Sequence, residues 1–302
     1  MVRPGSRRLA AAALAFWTWI AANPACAEGR TLVIGSISPR PASEIREWLP
    51  FAQHLAGRLA ADGISKGDVE VTQTAEQMAG LLRSGAVDLY IDSPIISLVV
   101  SDLAGSRLFL RRWKGGAANY RSVIFVRADS GIEDIDGLKG KAIAFEKPTS
   151  SSGYLLPWLL IAERRLGLAA GPNSAVTADR IGFTFSGDDD STISWVLRRQ
   201  VAGGASADTE LARISEDRRK HLKVVTSSPP IPRQVVSHSA MLPPALAARI
   251  RDELIAMATR ETGRLVLEGF GRTTKFDDIP ADSARALEGY RPFVRSLPSG
   301  ST

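Results

Sequence analysis

The sequence has little cysteine, few histidines and no apolar run as long as a membrane span requires. Its one cysteine is Cys26, and its three histidines, His54, His221 and His238, lack the spacing of metal ligands. A single cysteine excludes an internal disulfide. We therefore predict neither a metal site nor a cofactor.

Signatures of several enzyme and nucleotide-binding classes are also absent. The chain has no Gly-x-Ser-x-Gly elbow of a serine hydrolase, and its serine-rich loop lacks the lysine of a P-loop. Lysine and arginine form no dense cluster of the kind that binds nucleic acid. We predict that the protein is not an enzyme and has no nucleic-acid partner.

The first 27 residues have the pattern of a secretion signal. Arg3, Arg7 and Arg8 form a basic start, residues 9–22 are apolar, and small residues precede a cleavage point after Ala27. We expect a cleaved signal and a periplasmic protein, with retention of the segment as an anchor as the alternative. Loss of the three arginines lowers the net charge from +6 to +3.

The rest of the chain alternates between the apolar patterns of buried strands and of amphipathic helices. Helices are predicted between and after the strands, the first from about Glu44. The strands are predicted at 31–38, 69–74, 87–92, 121–130, 141–147 and 180–186. Such a strand–helix order predicts an α/β fold with two lobes, each built on a mostly parallel sheet flanked by helices.

The order of the segments predicts that one lobe is inserted into the other. We expect residues 28–119 and 228–302 to form the first lobe and residues 120–227 the second. Ligands of open α/β sheets bind beyond the carboxyl ends of strands, so a ligand cleft is expected between the lobes. Arg111, Arg112 and Trp113, near the first crossing, are expected to pack within a lobe or, alternatively, to line that cleft.

One loop stands out at such a carboxyl end. The stretch "EKPTSSSGYLLP", residues 146–157, leads from a predicted strand into a helix, whose first N–H groups have no internal partner. Ser150, Ser151 and Ser152 add hydroxyl donors, and Gly153 leaves room for a close approach. The loop is therefore either a cradle for an anion, helped by the helix dipole, or a polar loop in which Ser151 or Ser152 caps the helix.

Residues 119–157, "NYRSVIFVRADSGIEDIDGLKGKAIAFEKPTSSSGYLLP", resemble the phosphate-, phosphite- and phosphonate-binding proteins of ABC transporters. The resemblance rests on an aromatic residue before Ser-Val and on the Pro-x-Ser-Ser-Ser-Gly loop with a proline four residues later. Weaker matches are "GAVDLYIDSP" and "SPPIP". Together these stretches cover most of the chain after the signal.

The resemblance implies a type II periplasmic binding protein that closes on its ligand by a hinge motion. It implies that Ser150, Ser151 and Ser152 bind a small phosphorus oxyanion, together with Gly153 and Tyr120. The expected partner is a membrane ABC permease, or a membrane sensor kinase if the protein is a sensor, and the protein is expected to be a monomer. A binder of a different small anionic or zwitterionic ligand is a further alternative, and a secreted hydrolase is a more distant one.

Three positions depart from the family's pattern. Asp189 stands where many members have histidine, Ala75 where many have tyrosine, and Arg233 follows Ile-Pro, where phosphonate binders can carry an acid. A carboxylate repels a fully ionised anion but can accept a hydrogen bond from a protonated one, or receive a cation. Arg233 can add charge and donors. We include Asp189 and Arg233 among the candidate ligand-binding residues, and expect Asp188 and Asp190 to be solvated or to cap a helix.

Overall fold

The computed structural model describes residues 29–171 and 177–297, together with Met1. The predicted secretion signal therefore lies outside the described residues, apart from Met1. The strands, in chain order β1 to β14, are Arg30–Ile37, Ile64–Thr72, Leu89–Asp92, Arg107–Lys114, Asn119–Tyr120, Ser122–Arg127, Ala142–Phe145, Gly167–Ala170, Arg180–Phe185, Gly203–Ala207, Leu222–Ser227, Ile231–Pro232, Gln234–His238 and Thr273–Asp278. The helices, α1 to α11, are Pro41–Arg58, Ala75–Ser84, Pro94–Ala104, Leu156–Glu163, Asp189–Leu197, Asp208–Arg213, Glu216–Arg219, Pro244–Ala256, Glu261–Gly269, Ala281–Gly289 and Arg291–Ser296.

The first lobe is built on a six-stranded sheet in the order β14-β4-β13-β3-β1-β2. β1 pairs in parallel with β2 and β3, as expected of strands connected through helices. β13 pairs antiparallel with β3 and β4, and β14 pairs antiparallel with β4. Three of the five strand pairings are antiparallel, so the prediction of a mostly parallel sheet is wrong for this lobe. The sheet is mixed because β4 leads to the second lobe and β13 returns from it.

The second lobe has its own six-stranded sheet, in the order β11-β6-β10-β7-β9-β8. β10, β7, β9 and β8 pair in parallel, whereas β6 pairs antiparallel with β10 and β11. All strands of this sheet lie between residues 122 and 227, inside the segment predicted to be inserted. The two-lobe α/β architecture agrees with the sequence, while the exact lobe boundaries stay predictions.

The two lobes are joined by a short ribbon of two antiparallel strands, β5 and β12. Tyr120 of β5 pairs with Ile231 of β12, and Asn119 pairs with Pro232. A two-residue ribbon carries few hydrogen bonds, so rotation of one lobe against the other requires change at few backbone positions. The ribbon is therefore placed to serve as the hinge.

Apolar side chains pack continuously from one lobe into the other behind this ribbon. One cluster contains Met78 and Tyr90 of the first lobe together with Phe145 and Tyr154 of the second. The helices α10 and α11 pack on α3, and Phe293 of α11 contacts Trp158 of α4 with ring centroids 6.4 Å apart. The C-terminal helices thus connect both lobes at the back of the molecule.

A separate apolar cluster fixes α1, whose N-terminal half faces the second lobe. Phe51 of α1 stacks on Phe270 with ring centroids 4.1 Å apart, and both are fully buried.

Among the described residues, no helix combines the length and the apolar character needed to cross a bilayer.

The candidate ligand cleft

A cavity of about 320 Å³ lies between the lobes, with walls from both of them. Its walls are strongly polar, and few apolar side chains reach it. The charged residues that line it are Arg40, Glu44, Glu47, Asp92, Arg112, Lys114, Glu146, Lys147, Asp188 and Asp189. Carboxylates and cations both face this space, so it suits a small ligand held by charge and hydrogen bonds. No group of carboxylate, histidine or cysteine side chains in the described ranges is arranged to hold a metal ion.

The structure divides the candidate residues between the wall of the cleft and the buried layer next to it. Asp189 lines the cleft, and Arg233 lines a cavity that adjoins it. Tyr120, the three serines and Gly153 are buried and do not line the cavity as it stands. The serine loop is thus closed to a small molecule in this arrangement of the lobes.

The serine loop forms one turn of π-helix, Ser151–Leu155, before α4 begins at Leu156. The Ser150 hydroxyl accepts the Gly153 N–H at 2.9 Å, and the Ser150 carbonyl accepts the Leu155 N–H at 2.9 Å. A Cβ on Gly153 would lie 2.6 Å from Cβ of Glu146, which explains why glycine is needed there. The cap of this helix is thus Ser150, and the expectation that Ser151 or Ser152 would be the cap is wrong, because both lie within the π-helical turn.

Pro157 has no backbone N–H to donate. It fits in the first turn of α4 because the carbonyls that such an N–H would reach have other donors. The Ser152 carbonyl accepts the Ser122 hydroxyl at 2.7 Å, and the Gly153 carbonyl accepts the Glu146 N–H at 3.0 Å. Both carbonyls are therefore satisfied by groups outside the helix. These two bonds fix the serine loop to the ends of β6 and β7.

Ser151 joins the second lobe to the first. Its hydroxyl, fully buried, accepts the Ile95 N–H at 2.9 Å and the Ile96 N–H at 3.4 Å, and donates to the Ser93 hydroxyl at 2.9 Å. These are the first N–H groups of α3, which point out of the helix and favour a negatively charged acceptor. The Ser151 oxygen thus lies where an oxygen of an anion would also be stabilised.

Tyr120 lies beside this contact with its hydroxyl buried and without a well-formed hydrogen bond. The residue is 2% exposed, and among the described residues its hydroxyl forms no hydrogen bond of normal geometry, although the side chains of Ser151 and Ser152 lie near enough to interact with it. Burial raises the pKa of Tyr120 well above its usual value, so the phenol keeps its proton and remains a donor. The Arg233 guanidinium lies over the ring, 5.1 Å from its centroid. A buried donor without a well-formed hydrogen bond costs stability and is a recognised sign of a functional site.

Asp189 is the candidate that enters the cleft from α5. Burial, and next the nearby charge of Glu146, raise the pKa of Asp189 to about 7, although the Ser206 hydroxyl donates to its carboxylate at 2.6 Å. Asp188, rather than Asp190, caps α5 by accepting the Ser191 N–H at 2.7 Å. Near neutral pH Asp189 is thus able either to donate or to accept a proton at the cleft wall.

Replacement of Asp189 by asparagine should remove a pH-dependent loss of stability. The pKa is higher in the folded protein than the ordinary 3.8, so wild-type stability falls as the pH rises from about 4 to about 7. Asparagine can keep the bond from Ser206 without the charge. We expect the variant to melt at a higher temperature than the wild type at pH 8, and this difference in melting temperature to become smaller towards pH 4. A difference that stays constant in thermal scans from pH 4 to pH 8 would contradict the raised pKa of Asp189.

Two cations of β4 belong to the cleft and were not among the ligand-binding residues predicted from the sequence. Arg112 is 1% exposed and donates to the Thr273 hydroxyl, the Gln234 amide oxygen and the Phe270 carbonyl at 2.7, 2.5 and 2.8 Å. Burial, followed by repulsion from Arg112 and Arg233, lowers the pKa of Lys114 to about 8. The segment "RLFLRRWK" was the available signal, because arginines inside a β-like run require buried partners.

Comparison with known proteins assigns the chain to a family. The family of periplasmic substrate-binding proteins of phosphonate ABC transporters matches residues 34–284. The chain belongs to this family. A curated relative, the phosphate-import protein PhnD of Mycolicibacterium smegmatis, is 26% identical over 194 residues, which are 61% of this chain and 59% of that protein. The matched part thus spans less than two thirds of that relative's length.

Solved structures share the two-lobe fold of the family. XAC2383 from Xanthomonas citri, bound to chloride, has 25% identity and a TM-score of 0.81 over 88% of this chain and 97% of its own. A second structure of XAC2383 holds ATP, with a TM-score of 0.80 and 24% identity over the same shares of the two chains. PhnD1 from Prochlorococcus marinus, in complex with methylphosphonate, has 14% identity and a TM-score of 0.62 over 88% of this chain and 99% of its own. The fold is therefore that of a type II periplasmic binding protein.

Proposed function

We propose that the protein binds a small phosphorus oxyanion between its lobes and delivers it to a membrane ABC permease. Membership of a family of periplasmic substrate-binding proteins supports the transport role. The proposed binding residues are Tyr120, Ser150, Ser151, Ser152 and Gly153, flanked by Asp189 and Arg233. The same family membership favours binding over catalysis as the role of the serine loop.

The buried hydroxyl of Tyr120, which lacks a well-formed hydrogen bond, is the observation that best supports an anion at the serine loop. It is a protonated donor held beside the first N–H groups of α3 and the hydroxyls of the loop. Donors that converge on one place are suited to an oxyanion, and here the Ser151 hydroxyl is the acceptor of the α3 N–H groups. A cap alone accounts for Ser150 but gives no reason for a buried phenol that lacks a well-formed hydrogen bond.

A ligand has a simple route into this arrangement. Rotation at the β5–β12 ribbon would break the three bonds of the Ser151 hydroxyl and open the space between the serine loop and α3. An oxyanion there can accept from Ile95, Ile96 and Tyr120 together, and closure then buries it. Hinge closure around a ligand is the usual motion of periplasmic binding proteins.

Replacement of Tyr120 by phenylalanine should separate binding from stability. The variant loses a donor to a charged ligand, so binding should weaken by about 1.5–3 kcal/mol, which is roughly 10- to 150-fold. Without ligand the variant should be as stable as the wild type or more so, because the lost hydroxyl forms no hydrogen bond of normal geometry. Isothermal titration and thermal unfolding of the purified protein measure the two effects.

The ligand for that comparison comes from a thermal-shift panel of phosphate, phosphite, methylphosphonate, 2-aminoethylphosphonate and sulfate. A ligand at a hundred times its dissociation constant adds about 2.7 kcal/mol of stability. If Tyr120→Phe binds the best of these as tightly as the wild type, the phenol is not a ligand donor. If no phosphorus oxyanion shifts the melting temperature, the proposed function is wrong.

A further inference from the structure

A second cavity of about 630 Å³ opens beside the cleft. The two share four lining residues, Arg40, Lys114, Asp188 and Asp189, so they form one connected space. Each cavity alone falls in the range of about 300–1,000 Å³ typical of pockets for drug-sized ligands. Together they hold more than a single tetrahedral oxyanion can fill.

The second cavity is lined by five cations and four carboxylates. The cations are Arg40, Lys114, Arg213, Arg233 and Arg272, and the carboxylates are Asp188, Asp189, Asp190 and Glu210. Other protein groups already engage most of the carboxylates. Glu210 binds both Arg213 and Arg233, at 2.7 and 3.1 Å, while Asp188 caps α5 and Asp189 holds the Ser206 hydroxyl.

Three of the cations are not paired with a carboxylate. Arg40, Lys114 and Arg272 form no ion pair within the described part of the chain. Lys114 is the most informative of them, because it is partly buried at the junction of the two cavities. Desolvation, then Arg112 and Arg233, lower its pKa, and the nearby Glu47 and Glu210 offset this only in part. A second anion at this junction would relieve both the repulsion and the desolvation of its ammonium.

We propose that the ligand carries two anionic groups, a phosphorus oxyanion in the cleft and a second group at the cluster Arg40, Lys114, Arg233 and Arg272. The second group is a carboxylate or another phosphate, which arginine can bind through two parallel hydrogen bonds. This deepens the proposed function and rests on it. It also gives Arg233 a specific role, the binding of the second anionic group. From the sequence, Arg233 was predicted only to add charge and donors near the ligand.

The sign of the distal group can be tested with three phosphonates of similar size. Phosphonoacetate carries a distal carboxylate, phosphonoacetamide a neutral amide, and 2-aminoethylphosphonate an ammonium. We expect the wild-type protein to bind phosphonoacetate at least tenfold more tightly than phosphonoacetamide, and pyrophosphate at least tenfold more tightly than phosphate. Isothermal titration at constant ionic strength and pH gives each dissociation constant.

A matched pair of lysine variants locates the effect. Lys114→Met should reduce the preference for phosphonoacetate over phosphonoacetamide to threefold or less, whereas Lys141→Met, an exposed lysine of the second lobe, should leave it unchanged. Equal binding of phosphonoacetate and phosphonoacetamide by the wild type, while methylphosphonate binds, would overturn the second site and leave the proposed function intact. Tighter binding of 2-aminoethylphosphonate than of phosphonoacetate would also overturn the second anionic site. It would show that the carboxylates of the cavity bind a distal cation instead. Failure of every phosphorus compound to bind would overturn both proposals.

Discussion

Replacement of Arg112 by methionine is expected to lower the free energy of unfolding by about 3–5 kcal/mol. Methionine fills much of the same space but removes the donor of the Thr273 hydroxyl and of the Gln234 amide oxygen, whereas the Phe270 carbonyl keeps the N–H and the hydroxyl of Thr273 as donors. Each of the two lost bonds costs about 1–3 kcal/mol, and both share one site, so the costs are not fully additive. The guanidinium also lies 3.8 Å from the centroid of the Phe270 ring, and that contact is lost as well.

Denaturant titration of the wild type and the variant measures this loss. Arg107→Met is the matched control, because Arg107 lies on the same strand but is exposed. Its change should stay within about 0.5 kcal/mol. A loss below about 1 kcal/mol for Arg112→Met would mean that water or rearranged side chains replace the guanidinium, and that the floor of the cleft is less rigid than the structure indicates.

Replacement of Gly153 by alanine should have the second largest effect, and it should act on both stability and binding. The new methyl group would lie 2.6 Å from Cβ of Glu146 and 2.9 Å from the Ser150 hydroxyl, and both contacts are too short to persist. The turn must shift, and the Ser150 cap weakens with it. Overpacking and the weakened cap together cost about 2–4 kcal/mol.

Because the same turn presents the proposed ligand donors, oxyanion affinity should fall at least tenfold alongside the melting temperature. Gly80→Ala is the control, since Gly80 lies in α2 and a Cβ added there would have no atom within 4 Å. Alanine at that position should stabilise the protein by about 0.5–1 kcal/mol. Wild-type affinity in Gly153→Ala would show that the position of the turn does not matter to the ligand, which would argue against the serine loop as the binding site.

Much of the fold follows from local patterns in the sequence. The apolar periods of β1, α1, β3, β7 and β9 place these elements within a few residues of where they lie. β4 carries Arg111, Arg112 and Lys114, which interrupt its apolar pattern, and partners from other segments satisfy Arg111 and Arg112. Asp277 pairs with Arg111, and backbone and side-chain acceptors surround Arg112. No property of the segment itself indicates those partners.

The site was predictable in a similar, partial way. The serine loop and Tyr120 could be found from their order along the chain, and their proximity to Ser93 and Ile95 of α3 could not. Asp189 stood out as a departure from a pattern, but its raised pKa depends on burial and on Glu146, which lies 43 positions earlier. Contacts between distant segments determine these properties, and one sequence does not display them.

In the proposed mode of binding, the hydrogen bonds of Ser151 to α3 also set the kinetics of ligand association. A ligand that uses the N–H groups of Ile95 and Ile96 must wait for the serine hydroxyl to leave them, so opening precedes capture. Association should then reach a limiting rate at high ligand concentration, equal to the rate at which the lobes separate. The measured dissociation constant likewise exceeds the intrinsic one by the inverse of the open fraction. In the proposed mode of binding, the Ser151 hydroxyl thus competes with the ligand for the N–H groups of Ile95 and Ile96 and lowers the apparent affinity.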